Sequence, residues 1–481
     1  MRKEQSVNPN RRLGLAQHYA GGDDSMNDEV LPPETLRKVA VTALIATTIE
    51  WYDFFIYGTA AALAFPTVFF SSHLTPFAAL IVAFGTFSVG FIARPIGGIV
   101  FGHFGDLVGR KKSLVFALVL MAIATTLIGL LPSYKAIGML APFALVALRC
   151  LQGIALGGQA GGAILLVTET APKQRRGFYG SFAQAGAGTG TILSNVIFLV
   201  ASVGLSQTAF MSWGWRVPFV LSIVLIPVAI YIHLNLDDTP AFKRLKEMRA
   251  QRDTRLLQAI GTVAPAKPTP LAEGKRPLPL IDVLRTNPRE IALAAGTVIG
   301  IQVTFYVMNV FAVAYASNLA GLHISRNIML AGVLAGSVAL LAGIYIGGAA
   351  SDKYGRRRVI MLGGASLALW AFVFFPLVRT GSVLWIMVAL GVGQLFNGCV
   401  NGTQAAFFAE LFSTRVRYSG VSLAYQGGGI FGGGIAPIIA TALLAKFGST
   451  IAVSIYVACA LLITVSSAFM ADETYGRDLV D

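Results

Sequence analysis

The constraint that dominates this chain is a succession of apolar windows. From Val39 to Met470, runs of about 20 mostly apolar residues recur, separated by short polar breaks. A helix of that length crosses a bilayer core of about 30 Å. Inside lipid, each backbone N–H and C=O must be satisfied within its own segment, so helices are the fitting element. The windows fall at approximately 39–70, 76–101, 113–131, 137–168, 178–204, 216–236, 290–320, 327–348, 359–378, 382–409, 419–445 and 450–471. Only 12% of residues are charged, against about 25% in soluble domains. The sequence therefore predicts an all-α membrane protein of twelve transmembrane helices.

Charge placement gives the expected topology. The breaks after spans 2, 4, 8 and 10 hold twelve basic residues: Arg110, Lys111, Lys112, Lys173, Arg175, Arg176, Lys353, Arg356, Arg357, Arg358, Arg415 and Arg417. The opposite breaks hold five: Lys135, Arg216, Arg326, Arg379 and Lys446. The positive-inside bias then puts both termini in the cytoplasm of an inner (plasma) membrane. Loop topology and an anionic inner leaflet also account for the net charge of +14, so no nucleic-acid partner is expected. The polar start of the chain does not read as a secretory signal. The expected organisation is a cytoplasmic tail 1–38, a six-helix half 39–236, a cytoplasmic linker 237–289, a second half 290–471 and a short tail 472–481. The linker opens DDTPAFKRLKEMRAQ, with an N-cap candidate before Pro240, which predicts a short surface helix.

The halves repeat. GHFGDLVGRKK (Gly102–Lys112) and GAASDKYGRRR (Gly348–Arg358) share G-x-x-x-D-x-x-G-R-basic-basic, 246 residues apart. Glu169 precedes Arg176, and Glu410 precedes Arg417, each by seven. Parallel six-helix repeats place substrate between the halves near the bilayer midplane.

Polar residues within the spans mark that region. TTIEWYDFFIYG carries Glu50, Asp53 and Tyr57 at i, i+3 and i+7, close to one helix face. Glu50 lies about 18 Å past Lys38. A charge at that depth costs about 2.5–3.5 kcal/mol on insertion scales. Each acid must face a cavity, pair with a base or hold a proton, because burial favours the neutral carboxyl and a nearby cation favours the charged one. A static ion pair with Arg94 or Arg149 is the alternative. Arg94 in span 2 suits a carboxylate bidentately, or it neutralises Asp53. In span 4, Arg149, Gln152 and Gln159 recur at i, i+3 and i+10, toward substrate or as a structural pairing. The second half offers neutral stripes instead: Gln302, Tyr306 and Asn309 on span 7, and Gln394, Asn397, Asn401 and Gln404 on span 10. They line the path or bond between helices. Gly153, Gly157 and Gly161, like Gly428 and Gly432, read as close helix contacts. AGAGTG (Ala185–Gly190) has no Lys and no preceding strand, so no nucleotide site is expected. The three cysteines have no pairing pattern and the five histidines no metal-ligand spacing.

The two duplicated loops and LVALRCLQGIALGG resemble the major facilitator superfamily. TTIEWYDFFIYG, FIARPIGGIVFGHFGD, LDDTPAF and FSTRVRYSGVSLAYQ more narrowly resemble its metabolite:proton symporter family. That resemblance implies two pseudo-symmetric six-helix halves, alternating access, and Asp106, Arg110, Asp352 and Arg356 as a gating latch. It implies carriage of organic acids such as shikimate or α-ketoglutarate, or of zwitterions such as proline and betaine. The chain departs from the family at Leu107, where a basic residue is usual, and at GGQAGG, where Gly-Gly-Glu-Trp-Gly-Gly is common. The expected function is proton-coupled symport of a small organic anion, the alternatives being proton symport of a zwitterionic osmolyte such as proline or betaine, or an uncoupled facilitator. Glu50 and Asp53 would couple protons; Arg94, Arg149, Tyr57, Gln152, Gln159, Gln302, Tyr306, Asn309, Gln394, Asn397 and Asn401 would bind substrate. No enzyme activity and no cofactor beyond the coupling proton are expected. The expected partners are a small-molecule substrate, protons and lipid, for a monomer.

Overall fold

The computed structural model describes residues 33–108, 110–157, 162–224, 227, 284–319, 324–413, 416–477 and 479; the side chains at 102–114, 162–163 and 318–319 lie outside that description. The described residues form α1 (Pro33–Leu63), α2 (Pro76–Val108), α3 (Arg110–Leu130), α4 (Leu140–Gly157, resuming at Gly162–Thr170) and α5 (Arg176–Val203). A shorter apolar helix, α6, covers Gly214–Val224. The second half holds α7 (Pro288–Ser317), α8 (Arg326–Tyr354), α9 (Arg356–Arg379), α10 (Val383–Leu411), α11 (Arg417–Phe447) and α12 (Thr450–Met470). Ten of these are long and apolar enough to cross a membrane; the apolar helices at Val115–Leu130 and Gly214–Val224 stand in the places of spans 3 and 6. The fold is thus an all-α membrane bundle in two six-helix halves. The linker helix expected at Asp237–Gln251 and most of the linker lie outside the described residues.

Two elements depart from the expected spans. α1 is already helical at Pro33, ahead of the expected start at 39, and Leu36 there is buried against Ala171. It also ends at Leu63, with a separate turn at Phe65–Val68 carrying Pro66. α7 and α11 are not uniform α-helices: π-turns occupy Val307–Phe311, Tyr315–Leu319 and Ile430–Gly434. A π-turn inserts an extra residue and rotates everything beyond it. The 3.6-residue spacing of Gln302, Tyr306 and Asn309 is thus interrupted at Asn309, which lies inside the first π-turn. Gln302 is only half-buried, while Tyr306 and Asn309 are enclosed.

Glycine sets the same helix pairing in both halves. A Cβ on Gly157 of α4 would stand 1.9 Å from Arg94 O of α2, and one on Gly97 would stand 1.9 Å from Ile154 O. In the second half, Gly402 of α10 meets Ile344 O of α8 at 1.9 Å, and Gly347 meets Cys399 O at 2.0 Å. Such backbone contact excludes any side chain, so α2–α4 and α8–α10 are pseudo-symmetric pairs. Gly428 and Gly432 do the same toward α7, at Ala295 O and Ile299 O. Gly186 and Gly190 of AGAGTG face Thr47 and Trp51 of α1. The sequence reading of Gly153, Gly157, Gly428 and Gly432 as packing positions matches the contacts; Gly161 lies outside the described residues.

Gly157→Ala and Gly402→Ala should each destabilise the purified protein by about 2 kcal/mol or more, from overpacking against backbone. Gly85→Ala should be near neutral, since nothing lies within 4 Å of its Cβ position. Thermal unfolding in detergent reads the difference.

Candidate functional site

Where α1, α2, α4 and α7 converge, two arginines sit in a box of aromatic rings. Arg149 of α4 is 1% exposed. Its guanidinium lies over the rings of Tyr57 (4.1 Å), Phe54 (4.5 Å) and Phe87 (5.0 Å). Arg94 of α2 is half-buried. It lies over Phe54 (4.4 Å), Phe91 (4.5 Å) and Trp51 (5.9 Å). Phe54 thus serves both cations. A ring face attracts a desolvated guanidinium by about 2 kcal/mol, so three rings are comparable in size to the insertion cost of an arginine.

The acids do not neutralise these arginines by contact. Among the described residues, no ion pair within 4.0 Å joins Glu50 or Asp53 to Arg94 or Arg149. Nε and Nη2 of both arginines are buried without hydrogen-bond partners. Glu50 is half-buried and within electrostatic reach of Arg94. Asp53 is buried with Ser222 of α6 beside it, and its Oδ1 has no partner. The divergence follows from helix geometry. At about 100° per residue, i+7 returns within about 20° of Glu50, whereas i+3 is off by about 60°. Tyr57 therefore shares the face of Glu50, and its hydroxyl donates to Thr86 Oγ1 at 2.8 Å.

Arg149 is positioned by its own helix. Its Nη1 donates to Gln152 Oε1 at 3.1 Å, and Gln152 Nε2 donates to Thr125 Oγ1 of α3 at 2.6 Å. Space comes from Gly90 of α2, whose Cβ would meet Arg149 Nε at 2.5 Å. Gln159 lies outside the described residues. Tyr306 of the second half roofs the box, with ring centroids 5.4 Å from Phe87, 5.5 Å from Phe91 and 6.3 Å from Phe54. The glycine-rich π-turn of α11 admits it: a Cβ at Gly433 would fall 2.6 Å from Tyr306 Cε2 and 2.8 Å from Phe91.

The amides of the second half form a seam between α7 and α10. Asn397 Nδ2 donates to Ile301 O and Gln404 Nε2 to Thr297 O, each at 3.0 Å. Asn309 Nδ2 donates to Phe305 O at 2.9 Å. Gln394 is fully buried with neither amide atom partnered, and Asn401 Oδ1 is buried and unpartnered.

The halves also meet away from the box. At the face where the described chain begins and ends, Arg176 pairs with Glu410 (3.0 Å), and Arg417 with Glu169 (3.4 Å). The two seven-residue repeats of the sequence thus exchange partners across the halves. Asp352 accepts from Gly177 N (2.8 Å) and Phe178 N (2.7 Å), capping the positive end of α5 from the other half. Arg356 holds Asp352 at 2.7 Å and Glu410 at 3.2 Å. The side chains of Asp106 and Arg110 lie outside the described residues. Nearer the box, Gln184 of α5 donates to Tyr425 OH of α11. On the opposite face, Arg326 donates to Ser202 O (3.3 Å) and Leu205 O (3.1 Å).

Sequence reasoning missed Trp51, Phe54, Phe87, Phe91 and Tyr425. In an apolar span an aromatic residue reads as core. The usable signal was the presence of Arg94 and Arg149 in spans with too few acids to neutralise them.

A bundle with charged and amide side chains gathered on facing helices of two repeated halves is built for passing solutes, not for reactions on them. The profile of the family described as "Sugar (and other) transporter" matches residues 39–481. The chain is 36% identical to the inner membrane metabolite transport protein YhjE of Escherichia coli (strain K12), over 94% of this chain and 97% of that one. It is 35% identical to the shikimate transporter of the same strain (91% and 95%) and 30% identical to its proline/betaine transporter (92% and 85%). The proton:xylose symporter XylE bound to 6-bromo-6-deoxy-D-glucose shares the fold, with a TM-score of 0.68 at 18% identity over 93% of this chain and 98% of that one. The chain belongs to the sugar (and other) transporter family of the major facilitator superfamily. It is a multi-pass membrane transporter for small molecules.

Gly90→Val should push the Arg149 guanidinium off the Tyr57 ring and reduce transport at least tenfold, whereas Gly85→Val should not. Uptake by both variants in proteoliposomes checks this. Asp352→Asn should weaken the cap on α5, and cysteines placed between α5 and α8 should become more reactive to thiol reagents.

Proposed function

We propose that the protein is a symporter that carries a small organic anion together with protons by alternating access. The observation that carries this reading is the pair Arg94 and Arg149: buried donors that aromatic rings tolerate and that no carboxylate among the described residues engages. A substrate carboxylate completes them bidentately. Glu50 is the acid that responds. With the site unfilled, Arg94 favours its charged form; when a substrate anion takes Arg94, that support falls and Glu50 takes up a proton. Coupling follows, because the loaded state then carries both substrate and proton. Asp53, enclosed beside Ser222, is the second candidate for a proton. The similarity to a shikimate transporter supports an organic acid as substrate.

In this reading the Asp352, Arg176–Glu410 and Arg417–Glu169 contacts close the cytoplasmic face, with both termini in the cytoplasm. They separate when the halves rock. A zwitterion such as proline or betaine is the second reading, favoured by the similarity to a proline/betaine transporter. An arginine would bind its carboxylate in the same way.

Purified protein in liposomes separates these. An inward proton gradient (acid outside) should accelerate carboxylate uptake, and dissipating it should abolish accumulation. Glu50→Gln should keep substrate exchange and lose the response to the gradient. Uptake indifferent to pH for each carboxylate tried would overturn the coupled reading.

A further inference from the structure

One helix of the second half holds both ends of one helix of the first. α5 and α8 pack side by side: a Cβ on Gly348 would meet Gly177 O at 2.7 Å, and one on Gly188 would meet Leu341 Cβ at 3.4 Å. Asp352, near the end of α8, accepts from Gly177 N and Phe178 N at the start of α5. Arg326, the first residue of α8, lies about 39 Å away along the helix axis. There it meets the other end of α5. Its Nη2 donates to Ser202 O and Leu205 O, its Nε to Ser202 Oγ and its Nη1 to Gln207 Oε1. Its guanidinium lies over the Phe210 ring at 4.2 Å. Ser202 Oγ in turn donates to Asn327 Oδ1, next to Arg326 in α8. A carboxylate suits the positive start of a helix, and a cation suits its negative end.

Two comparisons separate this contact from ordinary helix capping. Arg216 has the same chemistry, donating to Gly129 O at 2.7 Å and Leu131 O at 2.8 Å at the end of α3, but both acceptors belong to its own half. The four acceptors of Arg326 all belong to the opposite half, so the contact cannot outlast separation of the halves at that face. The ion pairs at the other face join acids to arginines across the halves. Among the described residues Arg326 has no carboxylate within 4.0 Å. Its hydrogen bonds are charge-assisted and therefore firm, yet breaking them leaves no unpaired acid behind. A cavity of about 330 Å³ adjoins the contact, lined by Leu63 and Phe210 of the first half and by Ser317, Ile324 and Asn327 of the second. It gives the freed guanidinium room to swing. We infer that Arg326 is the outer gating residue. Its clasp on the C-terminal end of α5 holds shut the face opposite the chain ends, and its release, with Asp352 still capping the other end, opens that face alone. This rests on the alternating-access reading and not on the identity of the substrate.

The test reads the two faces separately in the full-length protein in detergent. With Cys150, Cys399 and Cys459 replaced by alanine, one reporter cysteine is introduced at a time. Ser317→Cys reports on the outer cavity and Ser422→Cys on the inner start of α11; both native hydroxyls are buried without a partner. The rate of labelling by a hydrophilic maleimide measures opening. Arg326→Gln should speed labelling of the outer reporter about fivefold or more and leave the inner reporter unchanged or slower. Ser202→Ala keeps the arginine and removes one acceptor. It should act in the same direction with a smaller effect, and it carries the test if Arg326→Gln does not fold. A general loss of stability would expose both reporters together. Outer labelling unchanged in both variants, or raised equally with inner labelling, would overturn the inference. If Asp352→Asn exposes the inner reporter while neither variant moves the outer one, this inference falls and alternating access stands. If no variant moves either reporter, both fall.

Discussion

Two guanidinium groups held in an apolar bundle by aromatic faces are the condition on which the rest of this structure depends. A buried arginine paired with a carboxylate would be satisfied and inert. Arg94 and Arg149 are instead stabilised by ring quadrupoles, which offset charge without occupying the N–H groups. That leaves directional donors free in a low-dielectric setting, where a ligand anion gains most. The glycine seam between α2 and α4 follows from the same need. Gly90 gives Arg149 its room, and Gly97 and Gly157 bring the two arginine-bearing helices into backbone contact.

The second half answers with a different chemistry on the same pseudo-symmetric frame. Its α8–α10 seam repeats the glycine contact, but its polar residues are neutral amides and a tyrosine. In the proposed reading, charge recognition falls to the first half and hydrogen-bond recognition to the second, on two bodies that rock in alternating access. A ligand held by both draws the halves together. The ion pairs at the face carrying the chain ends are built on the reverse plan: Glu169 and Arg176 of one half each find the opposite member of the repeat in the other. These pairs join the halves without any ligand.

Much of this was legible in the sequence because hydrocarbon permits few solutions. Apolar windows gave the helices, repeated loops gave the halves, and glycine spacing of four gave the close contacts of α4 and α11, though not the α8–α10 seam at Gly347 and Gly402. Glu50, Arg94, Arg149 and Tyr57 were visible because a polar side chain at depth is costly. Asp53 was harder to place: a three-residue offset looks like one face, yet about 60° sends it toward Ser222 of α6. Asn309 lies within a π-turn that no periodicity announces. The aromatic box was invisible because Phe54, Phe87 and Phe91 are ordinary residues for a lipid-spanning helix, and their purpose depends on which arginine lies over them.

The central claim, that a substrate carboxylate displaces Glu50 from the influence of Arg94 and so draws in a proton, is tested most directly by following pH. Proteoliposomes would be suspended in weakly buffered medium with no imposed gradient, and the carboxylate that binds most tightly would be added outside. The account predicts alkalinisation of the medium in step with substrate entry, absent in Glu50→Gln. Substrate entry at an unchanged external pH would contradict it.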